Sequence, residues 1–92
     1  MPSTTVVNLR REQFDVYIGR PSVFGNPFGM TAAVDRASCI EKFRVYFEAK
    51  VKADAEFRAA VVALKGKRLG CYCKPLDCHG DVYVEWLERE GA

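Results

Sequence analysis

The segment Lys67–Asp81, KRLGCYCKPLDCHGD, contains the strand on which the fold depends and the turn that leads into the last helix. Side chains alternate between two faces along a strand, so Cys71 and Cys73 are expected on one face and Tyr72 on the other. Pro75 ends the strand because proline cannot donate to a ladder of hydrogen bonds. The segment is therefore predicted to be a strand followed by a turn that carries a cysteine and a histidine.

Three helical segments are predicted on either side of this strand. Asp35 and Asp54 are suited to cap the first two, which expose charged residues and turn one apolar stripe inward. Gly66 suits the stop after the second helix. The last helix is expected from about Gly80 to Glu90. The residues expected in the core include Phe43, Phe47, Val61, Leu64, Leu69 and Trp86.

Two short β-rich runs precede the helices, Thr5–Leu9 and Asp15–Gly19. The residues between them, 10–14, have the length of a hairpin connection. The complete order is then β-β-α-α-β-α, which predicts an α/β fold with a sheet of about three strands and helices packed on it. We expect one domain over residues 1–92.

The composition limits the class of protein. The chain has 92 residues, 49% of them hydrophobic, which suffices for one modest core. No apolar run approaches the roughly 20 residues of a membrane span, and the first residues lack the pattern of a secretory signal. We therefore expect a cytoplasmic protein without a membrane partner. The net charge of +2 is too small to indicate nucleic-acid binding by itself.

The cysteines and the histidine form the strongest chemical signal. Cys71, Cys73, Cys78 and His79 have the spacing Cys-x-Cys-x4-Cys-His. A strand end and the following turn can bring three thiolates and one imidazole to a single point, and this is a known ligand set for zinc. The spacing is tighter than that of paired Cys-x-x-Cys knuckles. Ligation of an iron–sulfur cluster by the three cysteines remains an alternative.

Two other interpretations of the same segment need no metal. Cys78 lies at the start of a helix, where a thiolate is stabilised, with Lys74 near it and His79 beside it as a base. In an enzyme of this kind, Asp81 or His79 would move protons. Alternatively, the cysteines belong to the core and the protein needs no cofactor.

A loop rich in glycine and proline follows the second strand. Four of its residues are predicted to contact a ligand. Arg20 offers a planar fork to phosphate, Asn26 offers an amide to a base edge, and Gly25 allows close backbone approach, with Ser22 beside them. Alternatively, this is an ordered loop whose phenylalanines fill the core and whose Asn26 forms an Asx turn. Whether the loop and the cysteine segment share an edge depends on the strand directions. We favour a shared site, since ligands gather at carboxyl strand ends.

Three stretches, VVNLRRE (6–12), FDVYIGRPSVFGNPF (14–28) and KGKRLGCYCKPLDCHGDVYVEWL (65–87), resemble a small domain-of-unknown-function family of bacteriophages and bacteria. The resemblance covers nearly the whole chain. It implies a phage or bacterial cytoplasmic setting and a site at the marked residues, and it implies no particular activity.

Three functions compete at this stage. The leading hypothesis is a metal-stabilised module that binds a nucleotide or nucleic acid through Arg20, Asn26 and Lys74. The second is a small enzyme acting on a nucleotide or nucleoside through Cys78 or a metal-bound water. The third is a phage protein that binds a host protein.

Overall fold

The computed structural model describes residues 3–20, 22–28, 35–72, 74 and 78–90. Within these residues the chain forms an α/β domain with the predicted order β-β-α-α-β-α. Its elements are β1 (Thr5–Asn8), β2 (Val16–Tyr17), α1 (Arg36–Ala53), α2 (Ala55–Val62), β3 (Arg68–Cys71) and α3 (Gly80–Glu90).

The three strands form one parallel sheet in the order β1-β3-β2. β3 lies in the centre, with Leu69 opposite Val6 on one side and Val16 on the other. The expectation of a hairpin between the first two strands was wrong. These strands do not pair with each other, because β3 enters between them and takes the hydrogen bonds of both.

The connection between β1 and β2 returns to the start of the sheet across one of its faces. It is held to β3 at both ends, since the Leu9 N–H donates to the Cys71 carbonyl and the Asp15 N–H donates to the Arg68 carbonyl. A short connection suffices because the strands have only four and two residues. The Asp15 carboxylate also accepts the Arg68 N–H at 2.8 Å. This bond and the positive charge of Arg68 lower the pKa of Asp15, although partial burial acts in the opposite direction.

The sheet has two unlike faces. The helical face carries Leu69 and Cys71, which belong to the buried core together with side chains of all three helices. The opposite face, called the far face below, carries Val7, Tyr17 and Gly70, and it has the connecting segment across it instead of a helix. A Cβ atom on Gly70 would lie 2.7 Å from Cγ of Phe14. The absence of a side chain at Gly70 therefore allows the Phe14 ring to lie on the sheet.

The helices begin where the sequence predicts. The Asp35 carboxylate accepts the Ser38 N–H at 2.8 Å, and the Asp54 carboxylate accepts the Phe57 N–H at 3.0 Å. Gly66 has a positive φ of 79°, which favours glycine, and forms the turn that leads into β3.

The core lies between the sheet and the helices. All six residues expected there are buried, namely Phe43, Phe47, Val61, Leu64, Leu69 and Trp86. In the part of the chain that the structure describes, no helix has the length and hydropathy needed to span a membrane.

Candidate metal centre

Three segments meet at the carboxyl edge of the sheet, because all three strands run in the same direction. The Asn8 side chain, at the end of β1, donates to the Lys74 carbonyl at 2.7 Å. His79, just before α3, bonds the Ile18 carbonyl that follows β2, at 2.8 Å. Tyr83 of α3 donates to the Phe24 carbonyl at 2.8 Å. The structure thus brings the loop after β2 and the cysteine segment to the same edge.

Three of the four predicted metal ligands converge here. The Sγ atoms of Cys71 and Cys78 and a ring nitrogen of His79 all lie within 4.8 Å of one another, and all three residues are buried. Cys71 is the last residue of β3, and the other two occupy the turn before α3. The fourth predicted ligand, Cys73, lies outside the described residues.

The Sγ atoms of Cys71 and Cys78 lie in direct contact, as the two sulfurs of a disulfide bond do. Their Cα atoms are 7.6 Å apart, whereas ordinary disulfides join Cα atoms about 4.4–6.8 Å apart. Two thiolates that share one metal ion do not form a direct covalent bond, so the range for disulfides does not limit their Cα separation. The backbone spacing of Cys71 and Cys78 is therefore better suited to a shared ion than to a direct bond.

His79 has the orientation expected of a metal ligand. A carbonyl oxygen has no proton to donate, so Nε2 must carry the hydrogen of its bond to Ile18. In the neutral ring, Nδ1 then keeps its lone pair and faces the Cys78 sulfur at 3.6 Å. Burial lowers the pKa of His79, against the opposing effect of the nearby Ile18 and Phe24 backbone carbonyls. Histidines that bind metals commonly use their second ring nitrogen to bond a carbonyl in this way.

The Asp81 carboxylate contacts both Lys74 and Cys78. One carboxylate oxygen accepts the Cys78 N–H at 3.1 Å, and the other pairs with the Lys74 ammonium at 2.7 Å. Asp81 was predicted to move protons and Lys74 to contact a ligand. Both charged groups are engaged with each other, and together they fix the turn that carries Cys78.

Arg20 is exposed, and among the described residues its guanidinium forms no ion pair. Its carbonyl accepts the Tyr17 hydroxyl at 2.7 Å, so the backbone is held while the side chain remains available. Its charge is close enough to His79 to lower the pKa of that residue, although burial contributes more. A Cβ atom on Gly25 would lie 2.9 Å from Cγ of Arg20. The space beside this glycine is therefore occupied by the loop itself.

The other loop residues have different surroundings. The Asn26 amide donates to the Cys39 sulfur at 3.4 Å and accepts the Phe28 N–H at 2.8 Å, which is an Asx turn. Asn26 would have to break these contacts to recognise a ligand. Ser22 is different, because its hydroxyl oxygen is buried and has no hydrogen-bond partner among the described residues. Phe24 packs against the buried Tyr83 ring.

Sequence reasoning missed three residues that shape the site. Asn8 holds the Lys74 backbone, and the Ile18 carbonyl orients His79. Gly80 lets α3 approach the sheet, since a Cβ atom there would lie 2.7 Å from Cδ1 of Ile18. The glycine that follows the Cys-His pair was the only signal for close packing at this point. A backbone carbonyl leaves no signal in the sequence.

The donor set fits a borderline-soft divalent metal, because two thiols and one neutral imidazole suit zinc. Fold and site together define a small two-layer α/β domain with a buried Cys/His cluster at the carboxyl edge of a parallel sheet.

The chain belongs to the family described as Domain of unknown function (DUF4326), whose model matches residues 5–89. It is 39% identical over 84 residues to a protein of Enterobacteria phage T4 described as "Uncharacterized 12.4 kDa protein in nrdA-td intergenic region". The match covers 91% of this chain and 77% of the phage protein. The expected membership of a domain-of-unknown-function family with phage members is confirmed. No solved structure matches the chain.

Proposed function

We propose that this protein is a metal-stabilised binding module for a nucleotide or nucleic acid. In this proposal one zinc ion is held by Cys71, Cys73, Cys78 and His79. The observation that carries it is the convergence of three buried donor groups, one of them a histidine whose second nitrogen is bonded to the Ile18 carbonyl. Zinc would tie the end of β3 to the start of α3, and the histidine contact would extend this restraint to β2.

The ligand-binding part of the proposal rests on Arg20 and its loop. An unpaired, exposed guanidinium is suited to bind phosphate through two parallel hydrogen bonds. Because His79 bonds the backbone next to this loop, a metal at the cluster would also hold Arg20 in position.

A binding role fits the cluster better than catalysis by Cys78 and Asp81. Cys78 is 1% exposed, which leaves its sulfur out of reach of a substrate. Both oxygens of Asp81 are engaged, so this carboxylate is poorly placed to take up a proton from a substrate.

The first test is metal analysis of protein purified without an affinity tag and without air. We expect close to one equivalent of zinc, lost in the Cys78→Ser and His79→Ala variants. Cys39→Ala is the matched control, since Cys39 is also buried but lies outside the cluster, and it should keep the metal. An iron chromophore would support the iron–sulfur alternative instead. Metal-free protein with full thermal stability, unchanged by a chelator, would contradict the metal site.

The second test is calorimetric titration with a nucleoside triphosphate. Loss of a bond to a charged group costs about 1.5–3 kcal/mol, so Arg20→Ala should weaken binding about tenfold or more. Arg58→Ala removes the same charge from α2 and should leave the affinity unchanged. The affinity should also fall as salt is added, because charge attraction contributes to it. Equal affinities for the parent and Arg20→Ala would rule out this role for Arg20.

A further inference from the structure

The far face of the sheet carries a cluster of exposed aromatic side chains. Tyr72 is 55% exposed and Phe14 is 41% exposed, although both are large rings beside a central strand. Tyr17, which is half-buried, lies on the same face, opposite Gly70 in the sheet register. Since the helices lie on the other face, these rings and the connecting segment are what cover β3 here.

The two tyrosine rings of the far face contact each other and a neighbouring arginine. Tyr72 and Tyr17 meet edge to face, with ring centroids 6.2 Å apart. The guanidinium of Arg10 lies over the Tyr72 ring, 5.1 Å from its centroid. Tyr17 in turn bonds the Arg20 backbone at 2.7 Å. A continuous set of contacts therefore runs from Arg10 across two tyrosines to the loop that carries the proposed phosphate-binding arginine.

The charge around the rings is positive. Arg68 is paired with Asp15, and Lys74 is paired with Asp81, so the charges within each pair cancel. Among the described residues, Arg10 and Arg11 form no ion pair with an acid. Together with Glu12, they line an open depression of about 590 Å³ beside Phe14. This surface thus has more unpaired positive than negative groups.

We infer that the far face is a stacking platform for single-stranded nucleic acid. The exposed Tyr72 ring and an arginine plane provide surfaces on which unpaired bases stack, and the arginines attract the backbone phosphates. A duplex would not fit this role, because its bases are already stacked on each other. The inference deepens the proposed function and rests on it, since it names the ligand class. Its key residues, Tyr72 and Arg10, are not metal ligands.

The test is fluorescence anisotropy of a labelled oligodeoxythymidine of about twelve nucleotides, within the usual site size of such surfaces. The protein is titrated as purified, at low salt. Alanine in place of a stacking residue weakens such binding about fivefold or more, and we expect this of Tyr72→Ala. Tyr72→Phe keeps the ring and should bind like the parent. Zinc content and circular dichroism are measured for each variant to confirm that the fold is kept.

A second pair of variants tests the charge at Arg10, which is not one of the proposed metal ligands. Arg10→Ala should weaken binding and reduce the slope of log affinity against log salt by about 0.7, the value for one phosphate contact on a single strand. Arg58→Ala is the matched control, because Arg58 also lies over an aromatic ring, Trp86, but on the helical side. It should leave both quantities unchanged.

Three results would overturn the inference: no binding at low salt, equal affinity for a duplex of the same length, or full affinity in both Tyr72→Ala and Arg10→Ala. Its failure is separable from failure of the proposed function. If the protein holds zinc and Arg20→Ala loses nucleotide affinity while the Tyr72 and Arg10 variants bind the oligonucleotide normally, only the platform is wrong. If zinc is absent, the metal centre is wrong, and the Tyr72 and Arg10 comparisons still decide the platform.

Discussion

Asp81 supports the proposed metal site without being one of its ligands. Its carboxylate fixes the backbone of Cys78 and the ammonium of Lys74. His79 depends in the same way on the Ile18 carbonyl, which determines which ring nitrogen is free. Groups that support ligands in this manner contribute strongly to metal affinity. The proposed centre therefore depends on contacts that extend beyond the donors themselves.

We predict that Asp81→Ala weakens zinc binding about 10–100-fold, as expected when an outer partner of a ligand is removed. In metal-free protein the free energy of unfolding should fall by only about 1–2 kcal/mol, because the Cys78 N–H loses its acceptor and the partly exposed pair with Lys74 contributes little. Competition with a chromophoric chelator measures the first quantity and urea denaturation the second. Glu88→Ala, an exposed acid on the same helix, is the control. Unchanged zinc affinity in Asp81→Ala would show that the turn holds its position without this carboxylate.

Helix α1 illustrates how an element is anchored by one stripe of side chains. Its buried residues are Cys39, Phe43, Phe47 and Val51, each four residues after the one before. Phe47 contacts the Phe57 ring of α2 and the Tyr83 and Trp86 rings of α3. One side chain of α1 thus joins all three helices.

We predict that Phe47→Ala lowers the free energy of unfolding by about 3–5 kcal/mol, as for other large-to-small changes in a core. Val45→Ala is the matched control on the same helix, because Val45 is 66% exposed. It should change stability by no more than about 0.5 kcal/mol. Urea denaturation measures both. A loss below about 1 kcal/mol in Phe47→Ala would mean that this face of α1 does not pack in the core.

The whole sheet depends on β3, which joins two strands that do not pair with each other. The amides of Thr5, Leu9, Asp15 and Ile18 all donate to carbonyls in the short segment from Lys67 to Cys71. These partners are separated from them by some fifty residues or more of the chain. The sheet can therefore form only when α1 and α2 have brought β3 back between β1 and β2.

We predict that β1, β2 and β3 open as one cooperative unit. Native-state hydrogen exchange in increasing denaturant should give the Leu9 and Ile18 amides the same opening free energy as the amides of β3. A hairpin of β1 and β2 would instead retain its own protection after β3 opens. Exchange of β1 and β2 at clearly different free energies from β3 would contradict a single unit.

The elements and their inner faces follow from local sequence, because periodicity, capping residues and glycine act over one or two turns of chain. Asp35, Asp54 and the six core residues were therefore predictable. So was the Cys/His segment, whose residue types concentrate within a few positions. The fold class was predictable from the order of these elements.

The tertiary structure decided the direction and order of the strands. It also decided which partner each loop side chain contacts. The short segment between β1 and β2 has the length of a hairpin connection, and only the entry of β3 decides that it crosses the far face with Phe14 on Gly70. The partner of His79 is a backbone carbonyl, which every residue carries. Asn26 has the same local sequence whether its amide meets a ligand or Cys39. These features are contacts between distant parts of the chain, so no local pattern encodes them.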